Sequence, residues 1–107
     1  MSDTPDRFEI TPGADLIAAE RRRQVEAEGW TPEHDDEHSG GELVDAAWCY
    51  LFHVMSPHFG QHSAPSTVWP WHPSWWKPSD DPLRTLVKAG ALIAAEIDRI
   101  QRQRGVE

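Results

Sequence analysis

The chain has 107 residues, 38% of them hydrophobic, and a formal net charge of -8 at pH 7. That length supports one small domain with a modest core, and the acidic balance excludes a protein that coats nucleic acid, because such binding rests on cationic groups that neutralise phosphates. The single cysteine, Cys49, excludes an internal disulfide framework or a multi-thiolate zinc site; "MSDTPDRFEI" has no signal-peptide pattern and no apolar run nears the roughly 20 residues needed to cross a bilayer, so no membrane association and a cytoplasmic location are expected, in the host cell if the chain is phage-encoded.

Residues 1–10 are polar and predicted to be flexible, leaving residues 11–107 as a single helical domain. In "TPGADLIAAERRRQVEAEGW", Thr11 is the expected N-cap, with Pro12 at the first helical position. Gly29 is the expected left-handed stop, bringing Val25 and Trp30 together. Leu16, Ala19 and Ala27 share one weakly apolar face, which needs partners. A second helix begins at Ser39, where Ser39 to Glu42 match a capping box. Leu43, Ala47, Tyr50, Leu51 and Val54 then recur at helical spacing as its core face, and Pro57 marks its end.

Residues 56–80 read as a long irregular connection. Four of the six tryptophans lie there, in "VWPWHPSWWKP". Disordered chains are poor in aromatics, so this segment is expected to be an ordered lid. The third helix has Asp81 as N-cap, Pro82 at its first position and Gly105 near its end. Leu83, Leu86, Val87, Gly90, Ile93, Ala94, Ile97 and Ile100 form its apolar stripe. No strand pattern, repeat or heptad array is present, so the expected fold is all-α: three main helices and a Trp/Pro-rich loop, completed by homo-oligomerisation.

The chemistry concentrates in "EHDDEH" and the helix after it. His34, Asp35, Asp36 and His38 offer imidazole and carboxylate ligands suited to zinc, manganese or magnesium; the plainer reading is that acidic residues gather where a helix N-terminus carries partial positive charge. Glu42 is either a capping glutamate or a ligand. Asp45 lies beyond the cap, on a face beside Glu42, where the two carboxylates could hold a hard cation. In the loop, the indoles of Trp69, Trp71, Trp75 and Trp76 could stack on a base while Lys77, Arg84 and Lys88 meet phosphate oxygens, with Arg21, Arg22 and Arg23 as further positive charge. The alternative is that the tryptophans only supply apolar area to short helices.

"GELVDAAWCYL" resembles the Glu-x-x-Asp motif of the MazG-like all-α nucleotide pyrophosphohydrolases, with Glu42 and Asp45 at the acidic positions, and "RTLVKAGALIAAEIDRI" is similar to a later helix of that fold. The resemblance implies a MazG-like bundle, magnesium on Glu42 and Asp45 with Asp35, Asp36 or His38 completing the set, and Lys88 at a phosphate. "AERRRQVEAE" departs from the family's earlier Glu-Glu-x-x-Glu motif: either "EHDDEH" supplies the missing ligands or the fold is kept and hydrolysis lost. The whole arrangement also resembles a family of small uncharacterised proteins of tailed phages and prophages. Three readings are open: a magnesium-dependent nucleotide pyrophosphohydrolase, a counter-defence protein that sequesters a nucleotide signal without turnover, and an interaction module that docks through its tryptophan loop. The first two require Glu42 and Asp45 to open into a hollow roofed by indoles and edged by Lys88.

Overall fold

The computed structural model describes residues 10–55 and 68–105. The expectation of a flexible terminus falls on residues outside these, apart from Ile10, as does the part of the predicted loop before residue 68, including Pro57. Helix α1 runs Gly13–Glu28, α2 Pro32–Asp36, α3 Glu42–Met55 and α4 Pro82–Gln103, with a short 3-10 turn at Pro73–Trp75. No strand occurs among the described residues, so the all-α expectation holds. None of their helices is long and apolar enough to cross a membrane.

Local chemistry explains most of the boundaries. Pro12, at ψ 142°, is extended rather than helical and becomes the cap of α1, one residue later than expected. Its carbonyl accepts from the backbone N–H groups of Asp15 and Leu16. Gly29 takes the left-handed conformation, φ 75°, and both its N–H and that of Trp30 donate to the Gln24 carbonyl. The chain therefore leaves α1 in a tight stop. Helix α2 was not anticipated, although Thr31 and Pro32 carry the usual punctuation: the Thr31 side chain accepts from His34 N–H, with proline at the start. Helix α3 begins at Glu42 rather than just after Ser39, because Gly41 sits at φ 92° and interrupts the turn. Asp81 caps α4 as expected, accepting from Leu83 N–H at 3.0 Å.

Helix α4 is the hub, packing against α3, α1 and α2. Leu43, Ala46, Ala47 and Tyr50 of α3 form the core with Ala89, Leu92 and Ala95 of α4. The small residues let the two backbones approach, and burial of the larger ones contributes about 1.5–3 kcal/mol each. At Gly90 the approach is closer still: a Cβ there would lie 2.6 Å from Cδ1 of Ile17 on α1.

The predicted stripe on α4 is only partly the core face. Val87 is buried, but Leu86, Ile93 and Ile97 remain 43%, 40% and 50% exposed, while Thr85, Ala91, Glu96 and Arg99 are buried. Periodicity identifies an apolar face without saying which neighbour covers it. Here α1 and α3 meet the alanine-rich side instead. The buried charges are satisfied locally, Arg99 donating to both oxygens of Glu96 at 2.7 and 3.0 Å.

Candidate functional site

The Gly29 stop turns Trp30 back over the bundle, where it packs against the core's edge. Arg21, on α1, fixes both Trp30 and the short helix beyond it. One guanidinium nitrogen donates to the Trp30 carbonyl at 3.0 Å and another to Asp35 Oδ2 at 2.5 Å. Asp35 is 1% exposed, so this ion pair anchors α2 from inside. At the other side Arg102 of α4 donates to the Pro32 carbonyl and to Asp36 Oδ1, at 3.2 and 2.8 Å. Clamped in this way, α2 presents His34, with His38 just beyond its end.

The tryptophan segment closes over this surface, and its indoles divide into two roles. Trp76 stacks on Tyr50 with centroids 4.8 Å apart, and Trp69 meets the same ring edge-on at 5.6 Å. These two are packing residues. Trp71 and Trp75 instead face Trp30, at 5.8 and 6.4 Å. The segment is also pinned by its backbone: Lys77 N–H donates to the Tyr50 hydroxyl at 3.4 Å, and the Lys77 carbonyl accepts from Lys88 Nζ at 2.6 Å. Burial pushes the Tyr50 phenol up to about 12.

Two adjoining hollows result. The first, about 420 Å³, is walled by Trp30, Trp71, Trp75, His34, His38, His72 and Glu28. The second, about 340 Å³, is lined by Arg23, Lys77, Arg84, Lys88, Glu20, Gln24 and Tyr50 among others. Glu28, Trp30 and Trp75 belong to both, so one aromatic partition separates an apolar box from a charged cleft. In the cleft, burial pushes the Lys88 ammonium below its ordinary value; Glu20 and Glu28 oppose this, while Arg23 and Lys77 add to it. Lys77 Nζ also lies 5.7 Å over the Trp75 ring, a cation–π contact.

Two polar atoms in these walls lack partners. Gln24 is 2% exposed; its Nε2 donates to Glu20 at 3.2 Å, but its Oε1 accepts nothing, and Trp71 Nε1 donates to nothing. A buried unpaired polar atom costs about 1–3 kcal/mol; both atoms are covered by neighbouring side chains.

Of the expected metal ligands, His38 and Glu42 approach each other, at 3.6 Å, while the remaining carboxylates are drawn to other partners or to the surface. Asp35 is held by Arg21 and Asp36 by Arg102. Glu42 Oε1 accepts from Gly40 N–H at 2.7 Å, and its carboxylate is held below its ordinary value by backbone N–H groups, its own first and then that of Gly40, with His38 adding to the effect. Asp45 is exposed, and neither it nor Glu42 lines either hollow, so the hollow expected over this acidic pair does not form there and a small-molecule reading has to rest on the aromatic and cationic walls alone. Among the described residues no group of three or more histidine, cysteine or acidic side chains is arranged to hold a metal ion. Asp35, Asp36 and Glu42 are each engaged by a protein donor instead. Of the other predicted residues, Trp71, Trp75, Lys77, Arg84 and Lys88 do line the hollows.

Sequence reasoning missed Gln24, Glu28 and Trp30 as walls. Their signal was the Gly29 stop, which folds the end of α1 and the next residue against the lid. The chain matches no protein-family model, no curated protein and no solved structure.

Proposed function

We propose that the chain binds a nucleotide or a related phosphorylated small molecule, the base in the aromatic box and the phosphates in the cationic cleft. The observation that carries this reading is the shared wall of Glu28, Trp30 and Trp75 between the two hollows. Base–aromatic stacking contributes about 1–3 kcal/mol per base, and an anion in the cleft would meet Lys77, Arg84 and Lys88, Arg23 being held by Glu20 at 2.8 and 2.9 Å. Trp69 and Trp76 pack on Tyr50 and Trp71 on Trp30, which favours a lid over a docking module, with Trp75 left 44% exposed at its rim.

The commitments of Asp35, Asp36 and Glu42 to protein partners favour binding without turnover, as in a phage counter-defence protein that sequesters a nucleotide signal. In the alternative, a pyrophosphohydrolase, magnesium would arrive on the ligand's own phosphates. Glu28 is the carboxylate that lines the cleft with no hydrogen bond or ion pair among the described residues. A second copy belongs to the same reading: Leu86, Ile93 and Ile97 leave one face of α4 apolar and exposed, and a homo-oligomer would cover it.

The test is a thermal-shift panel of nucleosides, their mono-, di- and triphosphates, and pyrophosphate. A ligand at 100 times its Kd stabilises the folded state by about 2.7 kcal/mol. Nucleotides are expected to raise Tm, and Trp30→Ala and Lys88→Met to abolish the rise; an unchanged Tm across the panel sinks the reading. Release of pyrophosphate with magnesium separates hydrolysis from sequestration, and sedimentation reads the subunit count.

A further inference from the structure

We infer that His34 and His38 are the protein's two ligands to a zinc-class transition metal at the wall of the aromatic box. Their Nε2 atoms lie 3.4 Å apart, and their rings meet at 65° with centroids 4.7 Å apart. The opposite nitrogen of each ring faces a carboxylate: His34 Nδ1 is 3.3 Å from Asp35 Oδ1, and His38 Nδ1 is 3.6 Å from Glu42 Oε2. Asp35 can only accept, so His34 Nδ1 carries a proton toward it and the His34 lone pair lies on Nε2; Glu42 lies on the Nδ1 side of His38, beyond hydrogen-bond distance. In the metal-free chain His38 Nε2–H can donate to the His34 lone pair across this gap, and a metal ion that displaces that proton finds two imidazole nitrogens within one coordination shell.

The separation is that of a metal chelate. Two imidazole nitrogens, each about 2.0–2.1 Å from a tetrahedral ion, stand about 3.3–3.4 Å apart. The outer carboxylates complete the order carboxylate, imidazole, metal that fixes ring orientation and raises ligand basicity at such sites. Asp35 suits that task, being buried and itself held by Arg21. The backbone supports the pair as well: Glu37 N–H donates to the His34 carbonyl and His38 N–H to the Asp35 carbonyl, at 3.1 and 2.9 Å. Imidazole nitrogen selects zinc, nickel, cobalt or copper over magnesium. With two protein ligands, the remaining positions face the box, open to water or to an anionic group of a ligand. Of the residues expected as metal ligands, Asp35 and Glu42 thus become positioning residues, and His38 remains a ligand.

This site stands on imidazole geometry alone and is independent of nucleotide binding. The full-length wild-type chain, labelled with 15N at histidine and free of nucleotide, is titrated with zinc chloride at pH 7.5. One equivalent is expected to move the Nε2 resonances of both His34 and His38, and cobalt(II) to give a visible absorption band at the same stoichiometry. His34→Ala and His38→Ala are expected each to weaken zinc binding by at least about tenfold, and Asp35→Asn by about tenfold. The wild-type spectra decide the matter even if a variant fails to fold. The proposal is overturned if zinc leaves either ring's signals unmoved, if the shifts fall on other histidines instead, or if the two resonances respond only to acid, which would mean that the rings share a proton and no metal.

Discussion

Arg21 and Asp35 form an ion pair at 2.5 Å across a sequence separation of 14, with the carboxylate 1% exposed and the same guanidinium holding the Trp30 carbonyl. This contact joins α1 to α2 and sets the position of both Trp30 and His34. Removing one partner strands a buried charge, which typically costs 3–5 kcal/mol. Arg21→Ala is therefore expected to lower the unfolding free energy by about 3–5 kcal/mol in urea titrations, and Asp35→Asn by less, since the amide can still accept from the guanidinium. Equal, small losses would mean that the pair does not anchor α2.

Gly90 gives a prediction whose sign depends on its neighbour. Alanine in a helix is favoured over glycine by about 1 kcal/mol, but its Cβ would lie 2.6 Å from Cδ1 of Ile17, and overpacking costs about 1–3 kcal/mol. Gly90→Ala is expected to be neutral or destabilising by up to about 2 kcal/mol in the wild-type chain, and stabilising by about 1 kcal/mol in an Ile17→Ala background. The double-mutant cycle measures that difference directly.

Gln24 separates stability from binding. Gln24→Met removes a buried acceptor that has no partner along with a single 3.2 Å hydrogen bond to Glu20. The unfolding free energy is expected to change by less than about 1 kcal/mol, while nucleotide affinity falls about tenfold. A variant that loses stability but keeps affinity would place Gln24 in the scaffold alone.

Tyr50 sets an alkaline limit. Its phenol titrates near 12 in the folded chain, against about 10 when unfolded. Between those values the folded state holds the proton that the unfolded state has lost, so stability is intact below pH 10 and falls as pH rises toward 12. The loss is expected to reach about 2–3 kcal/mol, and Tyr50→Phe should flatten the pH dependence of Tm over that window.

The elements whose signals are local were legible in the sequence. Gly29 and Asp81 act as a left-handed stop and an N-cap because a few adjacent atoms decide both. Helix α2 was equally local, yet its Thr31–Pro32 start was hidden beneath the acidic run next to it. Which face of α4 turns inward was not legible: Ala89 and Ala95 carry less apolar signal than Ile93 and Ile97, but only small residues allow α3 so near. The site divides along the same line. Lys77 and Lys88 line the cleft, whereas the fates of Asp35 and Asp36 depended on arginines 14 and 66 residues away. No spacing rule anticipates a partner at that range.

The lid is fastened through the peptide groups of residue 77, one donating to Tyr50 and the other accepting from Lys88, while the Lys77 side chain lies free of that fastening, over Trp75. Attachment and selectivity are thus written in different atoms. On the proposed nucleotide reading, replacing the ammonium at 77 with a neutral or acidic group changes the charge at the rim and leaves the clasp closed, because residue 77 enters the clasp through backbone atoms alone.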